Sequence, residues 1–268
     1  MRIKPHLTVL AFALLFLLFA APSPPPTYSQ TTQQTPRVNA PHSERETPPV
    51  PAHAVFWFGQ VTPTTNYADA RIAYTDDALF VTVHIFDRTI WYDNAAADPT
   101  QWDAVALNLN LEGATGSNPT GNSYRLIAQM NSSVAYRGNG SQWVPTSLPF
   151  ETDAFWRGDG VNNGAEARGW AITYRVPFNS LGLAGPPAEG NIWGLAVTVY
   201  DRDDQNGSPI TPQFWPETAE PATPGTWGEL RFGLPTYTAP EAAPGGTITV
   251  RHGLNGATVE DAHVGGHS

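Results

Sequence analysis

The chain has 268 residues, of which 24 are glycine and 26 are proline, and so many helix-disrupting residues exclude a fold built from long helices. Only 14 % of the residues are charged, but the formal net charge is −10 and Lys4 is the only lysine, which argues against a nucleic-acid-binding surface. The sequence contains no cysteine, which excludes disulfide scaffolds, cysteine–zinc sites and thiol nucleophiles.

The N-terminus has the layout of a secretory signal peptide. Arg2 and Lys4 precede an apolar run from Leu7 to Ala21 that carries no charge. About fifteen apolar residues are fewer than the roughly twenty that a membrane-spanning helix needs, which favours cleavage over permanent anchoring. We expect a signal peptide over residues 1–29, without a fixed cleavage point, and a secreted or cell-surface protein. Contact with a membrane is expected only if this segment stays uncleaved.

The next change in composition separates a linker from a folded domain. Residues 30–54 are rich in proline, threonine and glutamine, which predicts an extended, solvated linker. Residues 55–234 carry the apolar patterning of one domain. Residues 235–268 begin with a second linker-like stretch and end with one or two short strand-like runs, too few to close a core. They represent either the truncated start of a further β module or a disordered tail.

Short runs of alternating or apolar residues, separated by turn residues, predict strands throughout residues 55–234. In one of them, Leu79, Val81, Val83 and Ile85 alternate with Phe80, Thr82, His84 and Phe86, after a Thr-Asp-Asp-Ala turn. The pattern predicts an all-β fold, an antiparallel β-sandwich with jelly-roll or immunoglobulin-like layering. The clearest predicted strands are Ala70–Tyr74, Leu79–Phe86, Ala104–Leu111, Tyr124–Met130, Trp170–Val176 and Ile192–Tyr200.

The domain lacks the familiar catalytic signatures. His84 is its only histidine and lies within a predicted strand, and no serine-hydrolase, zinc-protease or nucleotide-binding motif is present. Acidic residues are plentiful, so the composition alone leaves a two-carboxylate glycosidase open. We therefore expect a non-catalytic domain, which could still belong to a carbohydrate-active enzyme if the chain is truncated.

Aspartates stand where two predicted strands end. Asp87 and Asp201 each follow a strand directly and are each followed by arginine. Such residues either contact a ligand at the rim of a sandwich or cap a turn. The loop that starts at Asp201 also contains Asp203, and its oxygen donors suit calcium, so Asp201 and Asp203 are candidate metal ligands. A solvated acidic turn explains the same loop. No cofactor is required, and Ca²⁺ is a possible ligand.

Several tryptophans lie in segments rich in proline, glycine or aspartate rather than inside the apolar strands. Indole rings that stay exposed are typical of binding surfaces, and flat aromatic faces with polar neighbours suit neutral carbohydrate. The alternative is that these rings close the ends of the sandwich. The tryptophans concerned are Trp91, Trp102, Trp143, Trp156, Trp215 and Trp227.

From about Ala70 to Phe232, the order of the strand motifs resembles that of family 9 carbohydrate-binding modules, β-sandwiches that are appended to xylanases and to other secreted bacterial proteins. The motifs that carry the resemblance are ARIAYTDDALFVTVHIFD, WDAVALNLN, YRLIAQ, GWAITYRVPFNSLGL, NIWGLAVTVYDRDD and TWGELRF.

The resemblance implies a sugar held between two tryptophans, by an aspartate and an arginine, with calcium bound elsewhere for structure. Matching motif by motif, it implies that Asp87, Trp102, Arg125 and Trp215 bind the carbohydrate. The chain departs from the family at its opening, AVFWFGQVTPTTNY, and at polar ligand positions occupied by Ile127 and Thr198.

We therefore predict a secreted, non-catalytic module that stacks a polysaccharide or oligosaccharide on tryptophan. The alternative is a structural or adhesive sandwich of a larger cell-surface protein that has no sugar site. A stand-alone glycosidase is the third hypothesis.

Overall fold

The computed structural model describes residues 34–62 and 65–234, and regular structure in this part of the chain is almost entirely β. Helical segments there are limited to four 3₁₀ turns at Val50–Ala52, Pro99–Gln101, Phe178–Leu181 and Pro224–Thr226. No helix among these residues is long and apolar enough to cross a membrane. The thirteen strands are β1 (Arg37–Ala40), β2 (Ala54–Thr62), β3 (Thr65–Tyr74), β4 (Ala78–Phe86), β5 (Ala104–Asn110), β6 (Ser123–Ala128), β7 (Ser133–Gly138), β8 (Trp143–Thr146), β9 (Glu151–Gly158), β10 (Ala167–Pro177), β11 (Ile192–Asp201), β12 (Ile210–Trp215) and β13 (Gly228–Phe232).

The strands form two sheets. The eight-stranded sheet has the order β1-β13-β11-β5-β6-β7-β8, with β12 also pairing with β11. The five-stranded sheet has the order β2-β3-β4-β10-β9. All pairs are antiparallel except β1 with β13. The predicted all-β sandwich is confirmed, and each of the clearest predicted strands corresponds to an observed one.

The core lies between the two sheets. On β4, Val81 and Val83 are fully buried in it, while Thr82 and His84 point to the other face of the sheet, as the alternation predicts. The eight-stranded sheet contributes residues such as Leu107 and Val197 to the same core. This packing leaves the outer face of each sheet, and the ends of the sandwich, as the places where a ligand can bind.

The predicted linker is folded from Arg37 onwards. Residues Arg37–Ala40 form β1, which pairs in parallel with β13 and buries Val38 and Ala40. The backbone N–H of Tyr74 donates to the carbonyl of Pro41 at 3.0 Å and ties the following residues to the five-stranded sheet. A four-residue edge strand with two apolar side chains carries too little periodicity to be recognised among prolines. The predicted signal peptide, the first residues of the linker and the segment 235–268 lie outside the described residues.

Candidate functional site

Three aspartates form a buried cluster at one end of the sandwich. Asp87 follows β4 in the five-stranded sheet, whereas Asp103 precedes β5 and Asp201 ends β11 in the other sheet. Since β5 and β11 are antiparallel and Tyr200 pairs with Ala104, the start of one lies beside the end of the other. One carboxylate oxygen of each aspartate lies within 4.8 Å of the other two, and the residues are only 1–4 % exposed.

The hydrogen bonds of this acidic cluster satisfy only part of its oxygens. Asp103 accepts the backbone N–H groups of Trp91, at 2.5 Å, and of Arg202, at 2.7 Å. Asp87 accepts the backbone N–H of Thr89 at 3.0 Å through Oδ1. Its Oδ2, and Oδ1 of Asp201, are buried without a hydrogen-bond partner. Unpaired buried oxygens of this kind are costly unless a proton or a cation compensates them.

Burial and mutual repulsion raise the pKa of all three carboxyl groups. Burial, followed by the charge of Asp201, raises the pKa of Asp87 to about 8. Burial, followed by the charge of Asp203, raises the pKa of Asp201 to about 7. Burial and the charges of the other two aspartates also raise the pKa of Asp103 well above its ordinary value. None of the ion pairs within the described residues reaches the cluster, so no cationic side chain offsets these charges.

The side chain of Arg202, which follows Asp201, binds groups outside the cluster. The guanidinium of Arg202 donates to the carbonyl oxygens of Gln101, at 2.7 Å, and of Gly207, at 2.6 Å. Its Cζ lies 4.5 Å from the ring centroid of Trp102. Three converging carboxylates with free oxygens and no cationic neighbour fit a hard divalent cation such as Ca²⁺, which prefers oxygen ligands. Asp87, Asp103 and Asp201 are the residues that would hold it.

The structure changes the expected role of Asp87 and leaves Asp201 a candidate metal ligand. Asp87, matched by resemblance to a sugar ligand, is instead a member of the acidic cluster, and at 2 % exposure it is closed to a sugar in solvent. Asp201, a predicted metal ligand, lies in the same cluster. Asp203 lies at its rim, where its carboxylate accepts the hydroxyl hydrogen of Thr89 and its carbonyl accepts the indole N–H of Trp91. Sequence reasoning did not single out Asp103, because it approaches Asp201 only through the pairing of β5 with β11.

Arg125 lies on the outer face of the eight-stranded sheet. It extends from β6, with Asn108 of β5 opposite it on one side and Tyr136 of β7 on the other. Its Nη2 donates to the hydroxyl of Tyr200 at 2.6 Å, whereas its Nε has no hydrogen-bond partner. An oxygen of Asn108, opposite Arg125, is also buried and unpaired. Polar groups that could bind a ligand therefore cluster on this face.

Trp102 is held at the edge of the same face. It ends the 3₁₀ turn Pro99–Gln101, and its backbone N–H donates to the carbonyl of Pro99 at 3.1 Å. The side chain of Gln129, just after β6, donates to that carbonyl as well, at 3.2 Å. Asp98 begins the turn. Partial burial acts to raise the pKa of Asp98, but hydrogen bonds from Thr100 and Gln101, followed by the positive charge of Arg125, lower it. Asp98 and Arg125 are therefore close to each other. Trp102 itself is half-buried, with Arg202 against its ring.

Trp215 does not join this surface. It ends β12, is only 9 % exposed and belongs to the core between the sheets. Its ring centroid lies 4.4 Å from that of Phe56, and a Cβ added at Gly228 would come within 2.6 Å of its Cη2. The predicted role of Trp215 as a stacking platform is therefore wrong, because the core already covers the indole. Trp227 is likewise buried, stacked on Trp143 at 6.4 Å between ring centroids.

Of the comparisons with known proteins, the one with solved structures supports the fold. No protein-family profile matches the sequence, and no curated protein matches it. Among solved structures, the chain is similar to a family 9 carbohydrate-binding module from Caldicellulosiruptor kristjanssonii, which was determined in complex with cellotriose. The identity is 15 %, the TM-score is 0.50, and the match covers 78 % of this chain and 100 % of that one.

A second similar structure is described as a putative carbohydrate-binding protein from Bacteroides uniformis. It is 12 % identical, with a TM-score of 0.52, and the match covers 74 % of this chain and 100 % of that one. The fold is like that of a family 9 carbohydrate-binding module. At these identities the likeness establishes the sandwich architecture, and the ligand has to be argued from the residues of this chain.

Proposed function

We propose that this protein is a secreted, non-catalytic module that binds a neutral oligosaccharide or polysaccharide on the outer face of the eight-stranded sheet. Trp102 offers a stacking surface for a sugar ring, and Arg125 donates hydrogen bonds to hydroxyl groups. The observation that carries the proposal is the unpaired Nε of Arg125, which lies on that face beside the hydroxyl of Tyr200. A buried donor without a partner is expected to bind a ligand or water.

The surroundings of Arg125 suit hydroxyl groups rather than a charged ligand. Its guanidinium group donates a hydrogen bond to the hydroxyl of Tyr200, and the nearby carboxylate of Asp98 offsets part of its positive charge. Asp98 is exposed and offers acceptor oxygens, so one sugar could receive hydrogen bonds from Arg125 and donate to Asp98. The guanidinium of Arg202 lies against the ring of Trp102, which restrains the indole before any ligand arrives.

Binding is measured by isothermal titration with cellotriose, cellotetraose and xylotetraose. With one stacking ring and a few hydrogen bonds, we expect dissociation constants of about 10 μM to 1 mM. Trp102→Ala removes the stacking surface and Arg125→Gln removes the charge-assisted donor, so each is expected to weaken binding by roughly tenfold or more. The matched control is Trp156→Phe, because Trp156 lies on β9 of the opposite sheet.

The proposal requires that the control binds as the unaltered protein does and that both site variants keep their thermal transition. Unchanged affinity of the folded Trp102→Ala and Arg125→Gln variants would refute the site. If the unaltered protein binds none of these sugars, carbohydrate binding on this face is wrong.

One observation favours the alternative of a structural or adhesive module. Two of the four residues that the resemblance assigned to the sugar, Asp87 and Trp215, are buried away from solvent. A sandwich that had lost its sugar site would keep such residues for packing alone. The sugar titration separates the two functions, because a purely structural module binds none of the oligosaccharides.

We also propose that the acidic cluster binds a structural Ca²⁺ ion. The support is the pair of unpartnered oxygens on Asp87 and Asp201 and the absence of a cationic side chain among the described residues around them. A cation there would join β4 of one sheet to β5 and β11 of the other, and would stabilise this end of the sandwich. Calcium-dependent thermal stability tests the assignment.

A further inference from the structure

The outer face of the five-stranded sheet carries a second surface, opposite to the proposed sugar site. Strand register places five residues in one row across all five strands, in the order Trp57, Asp69, His84, Ala171 and Phe155. The row begins and ends with an exposed aromatic side chain, since Trp57 is 60 % exposed and Phe155 is 45 % exposed. Four interstrand steps of about 4.8 Å separate these rings by roughly 19 Å.

A cavity of about 230 Å³ lies in the middle of this face. Ala171, His84 and Phe155 line it, and the rings of His84 and Phe155 contact each other edge to face with centroids 6.4 Å apart. Phe86, which is 56 % exposed, forms another wall. The cavity is smaller than the roughly 300–1,000 Å³ of sites for drug-sized ligands, so it suits a single ring-sized group.

The cavity is rich in arginine although the protein as a whole is acidic. Arg71, Arg157 and Arg168 line it, against a single carboxylate from Asp69. Asp69 is already engaged, because its Oδ1 accepts Nε–H of Arg71 at 2.8 Å and lies 3.0 Å from Nδ1 of His84. Within residues 34–62 and 65–234, Arg157 and Arg168 form no ion pair and no side-chain hydrogen bond. The guanidinium groups of Arg157 and Arg168 are therefore available to bind a ligand.

A backbone irregularity brings one of these arginines to the cavity. The pairing of β10 with β9 shifts between Ala167 and Trp170, which marks a β-bulge. Gly169 lies in the bulge with φ +103°, and a Cβ there would meet the carbonyl oxygen of Ile85 at 2.4 Å. Without the bulge, strict alternation would place Arg168 on the same face as the buried Trp170. With it, Arg168 is exposed and lines the cavity.

We propose that this face binds an acidic polysaccharide, with the carboxylate of one uronic acid residue held by Arg157 and Arg168 in the cavity. Guanidinium groups bind carboxylates through paired hydrogen bonds, and the neighbouring phenylalanine rings offer faces for pyranose C–H groups. The exposed rings at both ends of the row suit a ligand of several sugar units that crosses the strands. Three arginines against one carboxylate make this cavity locally cationic, although the net charge of the chain is −10.

The test is isothermal titration of the full 268-residue chain with tetragalacturonate and with its neutral methyl ester. The two ligands have the same rings and differ only in whether their carboxyl groups are free or methylated. We expect tetragalacturonate to bind at least about tenfold more tightly, and the double variant Arg157→Gln/Arg168→Gln to abolish that difference. Phe155→Ala is expected to weaken the binding of both ligands. The matched control is Arg175→Gln, because Arg175 is on the same sheet but is paired with Glu151 at 3.0 Å.

Other outcomes overturn the proposal. Equal affinity for tetragalacturonate and its ester would show that charge is not recognised, and tighter binding of an eight-nucleotide oligothymidylate would replace the uronate by a general polyanion. Loss of tetragalacturonate binding in Trp102→Ala, with retention in the double arginine variant, would move the ligand to the other sheet. Cellotriose binding depends on Trp102 and Arg125 in the first proposal, so the two proposals fail independently.

Discussion

Replacing Asp201 by asparagine should stabilise the metal-free protein and remove most of the stabilisation that calcium provides. In the metal-free protein the variant removes one of three charges that share a buried, unneutralised site, so Asp201→Asn is expected to be more stable than the unaltered protein. With calcium bound, the same change removes a charged ligand. The variant should then gain little from the metal.

The pKa of Asp201 gives the size of the effect. A folded-state pKa of about 7, raised from 3.8 chiefly by burial, means that the folded protein holds this proton more tightly than the unfolded chain does. The metal-free protein therefore loses stability as the pH rises from about 4 through 7, and the loss from Asp201 reaches on the order of 4 kcal/mol near pH 8. The coupled carboxyl groups share this cost, so 4 kcal/mol is the upper end of the stabilisation expected from Asp201→Asn.

Calcium binding should offset this loss of folding stability. At a free concentration about one hundred times its dissociation constant, a ligand that binds only the folded state stabilises it by about 2.7 kcal/mol. For a domain of this size each kcal/mol moves the melting temperature by roughly 2–4 °C, so calcium should raise it by roughly 5–11 °C.

Differential scanning calorimetry in calcium and in EDTA, near pH 8, measures both effects. The matched control is Asp153→Asn, an exposed aspartate on β9, which should keep the full response to calcium. A melting temperature of the unaltered protein that is the same in calcium and EDTA would refute the metal site. If Asp201→Asn lowers the melting temperature equally in both buffers, repulsion among the buried carboxylates does not destabilise the metal-free protein.

Three further predictions concern the sandwich itself. Trp215→Ala should destabilise the protein by about 3–5 kcal/mol, because it empties a core position against Phe56; a urea midpoint like that of the unaltered protein would contradict this burial. Val38→Ala should cost about 1–2 kcal/mol in the same assay if β1 belongs to the folded sheet, and no measurable cost if residues 30–54 are a linker. Gly169→Ala should lower the melting temperature, with a cost of at least about 1 kcal/mol, because the added Cβ meets the carbonyl of Ile85 at 2.4 Å in a left-handed conformation; an unchanged transition would show that the bulge is misplaced.

The strands and their faces could be read from the sequence because local patterning decides them. Residues 79–86 alternate with a period of two, and the side chains at Val81 and Val83 occupy the core as that period requires. β1 could not be found in this way. Its four residues are a strand only because the exposed edge of β13 accepts them, and that edge is formed by residues almost two hundred positions later.

Residue type alone identified the aspartates and tryptophans as candidates for ligand binding. The composition and the strand-end positions of Asp87 and Asp201 already pointed to oxygen-rich chemistry. In the structure Trp102 lies just before β5, and Arg125 lies on β6. Their partners were decided by the tertiary structure. Asp103 joins Asp87 and Asp201 only because the two sheets meet at this end of the sandwich.

The sequence by itself determined the all-β class, the alternation that builds the core and the set of polar and aromatic residues that a ligand could use. Only the tertiary structure decided that Asp87 belongs to an acidic cluster, that the indole of Trp215 belongs to the core, and that Arg157 and Arg168 share a cavity. The physical reason is that periodicity is a property of neighbouring residues. Burial, charge repulsion and the convergence of side chains depend on the strands that the fold places beside them.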